Sequence, residues 1–242
     1  LTDRAELEPP DGDAPRPAAP RTSAPGGPDG AAGTAWGEFE RQLLRVAASD
    51  TTVLLSGESG AGKSRAARRL HDLGRRRAGP FVAVHLAGLA ETLIDAELFG
   101  HSAGAFTGAR EARAGRFVRA AGGTLVLEGI EALAQPLQVK LLRVLQERVV
   151  EPLGAEAPVP IDVRIVATSA LDLADEVAQG RFRQDLYYRL AVVRLGVPPL
   201  RARPEALAGL ADELGAEVAA RLGVAPRALT AAARARLVRH PW

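Results

Sequence analysis

The sequence predicts an α/β fold of the P-loop type, a central parallel sheet with helices on both faces, followed by the start of a smaller helical lobe. Three observations predict it. Val53, Leu54 and Leu55 form a short apolar run suited to a strand covered on both sides, and Gly57, Glu58, Ser59, Gly60, Ala61, Gly62, Lys63 and Ser64 follow at once. Apolar runs then alternate with amphipathic segments as far as Val197, the pattern of crossovers returning to one sheet. From Pro204 onward the pattern is helical only.

The Gly-x-x-x-x-Gly-Lys-Ser spacing at 57–64 carries the chemistry. Its glycines let successive backbone N–H groups turn inward on a polyphosphate, Lys63 reaches the terminal phosphates, and the Ser64 hydroxyl can hold Mg²⁺ at the start of the next helix. A glycine-rich turn that merely caps a helix is the competing reading. The strand before the glycines and the helix after them are the context that the phosphate-binding reading requires.

In a chain of 242 residues, 47% of them apolar, one substantial core and a small second lobe can be buried. The absence of cysteine removes disulfides, thiolate metal sites and cysteine nucleophiles together. No apolar run reaches membrane-spanning length and the start carries no signal pattern, so a soluble cytoplasmic protein without a membrane partner is expected. A formal charge of +2 gives no ground for a nucleic-acid-binding stripe. Methionine is absent even at position 1, and the sequence stops at Trp242 directly after a helical pattern, so a fragment is expected.

Residues 1–34 hold seven of the 17 prolines, interleaved with Gly and Ala, and read as a disordered linker. From Trp36 the spacing turns helical, with Trp36, Phe39, Leu43 and Leu44 on one face. The α/β domain is placed at 35–200 and the start of a helical lid at 201–242. Within them, helices are expected at 64–77, 91–99, 136–148, 171–179, 182–190, 206–222 and 230–240. Strands are expected at 81–86, 116–121, 124–127, 161–168 and 192–197. Pro136 opens the clearest helix, whose Leu137, Leu141, Leu142 and Leu145 are core. Residues 100–109 have no periodicity, and Phe106 stands between Gly104 and Gly108. That is either a movable contact tip or a buried turn anchored by the aromatic ring.

Taken together, several stretches resemble the AAA+ domain of bacterial sigma-54-dependent transcriptional activators. They are Gly57 to Lys63, Glu97-Leu-Phe-Gly-His101, Gly104-Ala105-Phe106-Thr107-Gly108-Ala109, Gly122-Gly-Thr-Leu125, Phe182-Arg-Gln-Asp-Leu-Tyr-Tyr-Arg-Leu190 and Pro198-Pro-Leu-Arg201. Glu131, Ala132 and Gln138-Val-Lys140 look like the branch of the dicarboxylate-transport response regulators. The resemblance implies a homo-oligomeric ring of six subunits that uses ATP and Mg²⁺ to remodel the promoter complex of the sigma-54 RNA polymerase. It makes residues 104–109 the tip that touches sigma-54, residues 151–158 a second pore loop, and Arg183 and Arg189 arginine fingers reaching a neighbour's nucleotide. It places no direct DNA-binding element in these residues.

The family's consecutive Asp-Glu, which holds the metal and orients the attacking water, falls here on Glu128 and Gly129. Glu128 can still ligate Mg²⁺, whereas Gly129 has no side chain to position anything. Glu131, two residues further along a chain entering a turn, is expected to point elsewhere. His85 and Ala170 stand where the family has Asn. These departures cluster on the water-handling side, so ATP binding with slow or absent hydrolysis is expected, and a nucleotide-gated module that contacts sigma-54 or partner subunits without turnover stands as the second reading beside the remodelling activator. An ATPase with Glu128 or Glu131 as substitute base is the alternative.

Overall fold

The computed structural model describes residues 34–88, 90–105, 111–155 and 157–242. All of the expected linker at 1–34 except Thr34, and the tip residues Phe106, Thr107, Gly108 and Ala109, lie outside the described residues.

Among the described residues, five strands form the central sheet: β1 (Val53–Ser56), β2 (Phe81–His85), β5 (Thr124–Glu128), β8 (Arg164–Ser169) and β9 (Val193–Gly196). Their order is β2-β5-β8-β1-β9, all parallel. Two short antiparallel pairs lie outside it, β3 (Gly100–His101) with β4 (Arg113–Ala114) and β6 (Val149–Val150) with β7 (Val159–Pro160). The second pair brackets residues 151–158.

Strand alternation divides the apolar side chains between two cores. Phe39, Leu43, Val53, Leu55, Ala67, Leu70, Val126 and Val166 pack on one face, beneath α1 (Ala35–Ala47) and α2 (Lys63–Asp72). Leu54, Leu125, Leu127, Ile165 and Ala167 point the other way, to meet α3 (Glu91–Phe99), α5 (Gln135–Glu147) and α7 (Gln184–Leu190). Both faces are covered, which is why these strands read as continuous apolar runs. Leu137, Leu141 and Leu145 of α5 are buried as expected, and Leu142 is partly so.

Two expectations are corrected. Residues 116–121 were expected as strand, but Arg116–Arg119 is one turn of helix, α4. Its Phe117 is fully buried and stacks on Phe99 with ring centroids 5.8 Å apart, so tertiary packing decides a segment too short to show a period. Leu44 does not share the buried face of α1 and is 50% exposed, while Ala47 takes its place against the sheet.

After β8, α6 (Leu173–Ala178) precedes α7, and beyond β9 come α8 (Pro204–Leu222) and α9 (Ala231–Arg239). The two last helices pack on each other. Arg65 on α2 reaches Glu213 at 2.6 Å and Glu217 at 3.0 Å on α8, tying the helical segment to the phosphate-loop helix.

Arg164 is 2% exposed at the start of β8. Its guanidinium donates to the carbonyls of Val46 (3.0 Å) and Ala47 (3.1 Å) at the end of α1 and Leu70 (3.3 Å) in the last turn of α2. A cation thus closes two helix C-termini, where carbonyls lack intrahelical partners. Burial pushes its pKa down from the ordinary arginine value. Arg164→Ala strips these carbonyls of their donor, and we expect a loss of about 2–4 kcal/mol in denaturant unfolding.

Candidate functional site

The site sits at the C-terminal edge of the sheet, where β1 opens into residues 57–62 and α2 begins at Lys63. The loop owes its path to three glycines at positive φ, Gly57 (+152°), Gly60 (+79°) and Gly62 (+90°), the last at the N-cap of α2. Gly57 also has no room for a side chain, because a Cβ there would stand 2.7 Å from the Val197 carbonyl oxygen. Gly57→Ala should therefore cost about 1–3 kcal/mol, read from denaturant unfolding, and weaken nucleotide binding by distorting the loop. Among the described residues, the N–H groups of Ser59, Gly60, Gly62 and Lys63 donate to no protein acceptor. They make a nest of donors at a helix N-terminus, the arrangement suited to an anion.

The Lys63 ammonium lies along this loop, donating to the Gly57 carbonyl at 2.7 Å and the Glu58 carbonyl at 2.9 Å. Burial lowers its pKa, opposed by the negative charges of Glu131 and then Glu128. Arg201 holds the Glu58 carboxylate in a bidentate pair at 2.5 and 2.7 Å. Arg203 donates to the Ala61 carbonyl and lays its guanidinium over Trp36, 4.2 Å from the ring centroid. Sequence reasoning missed Arg203, whose one signal is its place just beyond Pro198-Pro199 at the entry to α8.

For Mg²⁺ the donors are hard oxygens: the exposed Ser64 hydroxyl on the first turn of α2 and the half-buried Glu128 carboxylate at the end of β5. Among the described residues no cluster of three His, Cys, Asp or Glu could cage an ion. One carboxylate and one hydroxyl, completed by phosphate oxygens and water, is the donor set that Mg²⁺ favours.

On the water-handling side the structure corrects one expectation. Gly129 is left-handed (φ 70°, ψ 47°) and turns the chain into a single 3-10 turn, Ile130–Ala132. Ile130 is fully buried, and Glu131 comes back across the strand ends toward Ala170 rather than away. Its Oε1 accepts from the Ala170 N–H at 2.9 Å, just past the end of β8, which pairs with β1 in register Ser56 to Ser169. Its Oε2 is buried without a hydrogen-bond partner. The expectation failed because it extrapolated the strand direction, whereas the left-handed glycine reverses it. His85 pairs across β2 and β5 with Glu128, its Nδ1 3.8 Å from Oε2, and remains 67% exposed.

Arg183 stands at the N-cap of α7 and Arg189 in its last turn, and α7 packs on α5. Arg183 pairs with Asp185 at 2.7 Å and lines an open groove with Gln184, Asp185 and Tyr188. Arg189 donates to the Leu145 carbonyl at 3.0 Å. Neither bonds to the phosphate loop of its own chain. Of residues 104–109, Gly104 and Ala105 are described. The base of that segment is stitched to the hairpin between β6 and β7: Ser102 donates to Leu153 and Leu153 to Gly100, each at 2.9 Å.

The model of the sigma-54 interaction domain family matches residues 32–196. The chain belongs to this family. Among curated proteins it is 51% identical over 204 residues to the C4-dicarboxylate transport transcriptional regulatory protein DctD of Pseudomonas aeruginosa, covering 84% of this chain and 44% of that protein. It is 49% identical over 205 residues to the DNA-binding transcriptional regulator NtrC of Bradyrhizobium, covering 85% and 42%. A crystal structure of NtrX from Brucella abortus superposes with a TM-score of 0.75 at 35% identity, over 85% of this chain and 46% of that one. The same protein in complex with ATP gives a TM-score of 0.72 at 35% identity, again over 85% and 46%. This sigma-54 interaction domain thus spans about half the length of the curated relatives it matches. Among its described residues no helix is long and apolar enough to cross a membrane.

Proposed function

We propose that this domain binds ATP with Mg²⁺ in the cradle of residues 57–64 and uses the nucleotide to drive sigma-54 RNA polymerase into a transcriptionally active promoter complex. The observation that carries the reading is the nest of donors at 59–63 with Lys63 beside it, in a chain of the sigma-54 interaction family. In this reading the backbone N–H groups bind and orient the phosphates, Lys63 neutralises the terminal phosphate charge, and Ser64 and Glu128 hold the metal. Bound Mg²⁺ would supply charge neutralisation across the phosphate oxygens. Residues 104–109 meet sigma-54, subunits close into a ring of six in the cytoplasm, and Arg183 and Arg189 reach the nucleotide of the adjoining subunit.

Gly129 favours a second reading, a module that engages sigma-54 when ATP is bound and never turns it over. Promoter melting by sigma-54 RNA polymerase, driven by the full-length protein, separates the two. Remodelling predicts melting with ATP and none with a non-hydrolysable analogue. Equal melting with both supports the module, and melting without any nucleotide overturns both.

A further inference from the structure

We propose that Glu131 is the catalytic carboxylate that orients the attacking water, replacing the side chain that Gly129 lacks. The inference rests on the ATP-binding reading above and answers the question that reading leaves open, whether the site turns over.

Three features of the structure place Glu131 in that role. The backbone at Gly129 is held by its N–H donating to the Thr168 carbonyl at 3.1 Å, and Ile130 anchors the following turn in the core. The turn carrying Glu131 is therefore fixed to the sheet. The carboxylate is then fixed in turn, because Oε1 accepts from the Ala170 N–H at 2.9 Å. That clamp comes from a backbone amide at a position where a side-chain amide was expected, so alanine suffices there. Finally, Oε2 is buried with no protein donor, and a buried carboxylate oxygen without a donor is costly unless something binds it.

The neighbourhood has the right sign. The amide partner of Glu131, Ala170, directly follows Ser169, which stands in register with Ser56 at the mouth of the phosphate loop, and the negative charge of Glu131, ahead of that of Glu128, opposes the effect of burial on Lys63. Glu128 at the strand end and Glu131 three residues later divide two tasks between them, the metal and the water. With ATP in the cradle, a water held by Oε2 attacks the γ-phosphorus. The new oxygen–phosphorus bond forms as the bond to the β-bridging oxygen breaks, and that bonding pair leaves on ADP. The surplus proton of the water passes to the Glu131 carboxylate and on to solvent as phosphate departs.

The other candidates do less. Arg203, stacked on Trp36 and bonded to the phosphate loop, is a structural clamp whose remaining buried nitrogen has no ligand pointing to it. The exposed apolar side chains of α8 and α9 have nothing on them to say what covers them.

The test uses the full-length protein and Glu131→Gln, which keeps the Oε1 contact with Ala170 and removes the charge. Phosphate release is expected to fall about 100-fold or more, the range of a lost general base. ATP affinity is expected to stay within about threefold, while the affinity for ADP with aluminium fluoride, a mimic of the transferring phosphoryl group, falls about tenfold or more. Release at the parental rate overturns the proposal. So does a parent that binds ATP and releases no phosphate, an outcome that leaves ATP binding standing. A parent that fails to bind ATP overturns both readings. If Glu131→Gln does not fold, Glu131→Asp serves instead: it keeps the charge one methylene short, and slower release is expected at unchanged ATP affinity. A parental rate for Glu131→Asp overturns the assignment.

Discussion

Lys63→Ala should weaken ATP binding by about 100-fold or more, as measured by calorimetric titration of the full-length protein. The ammonium already lies within hydrogen-bond reach of the loop, at Gly57 and Glu58, so little reorganisation stands between it and the terminal phosphates. Charge-assisted hydrogen bonds are worth about 1.5–3 kcal/mol each, and losing one or two gives that factor. Stability should change little, because the two carbonyls that Lys63 caps are at a loop edge open to water. Affinity within threefold of the parent would mean that the nucleotide is held elsewhere.

Arg183→Ala and Arg189→Ala should each leave ATP affinity nearly unchanged and cut phosphate release by about 10³-fold, the scale of a missing arginine finger. Arg183, just before α7, pairs with Asp185, and Arg189 on α7 donates to the Leu145 carbonyl; neither bonds to the phosphate loop of the same chain. An arginine that stabilises the transferring phosphoryl group must then come from a neighbour. A mixing experiment makes the point without reference to rate alone. Lys63→Ala subunits supply intact arginines, and Arg189→Ala subunits supply an intact phosphate loop. Mixed together they should recover release that neither shows alone. No recovery on mixing would place the arginines in their own subunit's site or outside the chemistry. Since Arg189 also holds a backbone carbonyl, unfolding of its variant is measured alongside.

Much of the fold was legible because its signals are local. The sheet strands stand on apolar runs covered on both faces, and α3 was expected at 91–99 and is found at Glu91–Phe99. The phosphate loop was legible for the same reason, as its function needs glycines at fixed spacing and their positive φ values follow. What was not legible depends on contacts far along the chain. Arg116–Arg119 is helical because Phe117 is stacked on Phe99, a pairing that four residues cannot announce. Arg164 reads as an ordinary strand-edge charge until α1 and α2 bring their carbonyl ends to it. Glu131 is the most consequential case. Counting residues from the end of β5 points it away, whereas the left-handed turn at Gly129 and the amide of Ala170, 39 positions downstream, bring it back.

Gly129 itself offers a complementary change. A Cβ there would come no nearer than 3.7 Å to Ala87, so Gly129→Glu meets no clash at its first side-chain atom. The left-handed backbone costs a non-glycine residue about 1–2 kcal/mol. With Glu131 in place, the added carboxylate should raise phosphate release little. In a Glu131→Gln background it should restore part of the lost rate.

In the proposed function, nucleotide in the 57–64 cradle governs engagement of sigma-54. The most direct test is retention of purified sigma-54 by the full-length protein with ATP, with ADP, and without nucleotide, beside the Lys63→Ala variant. The account predicts retention with ATP, loss with ADP or no nucleotide, and loss in the variant under every condition. Equal retention by parent and variant, whatever the nucleotide, would contradict it.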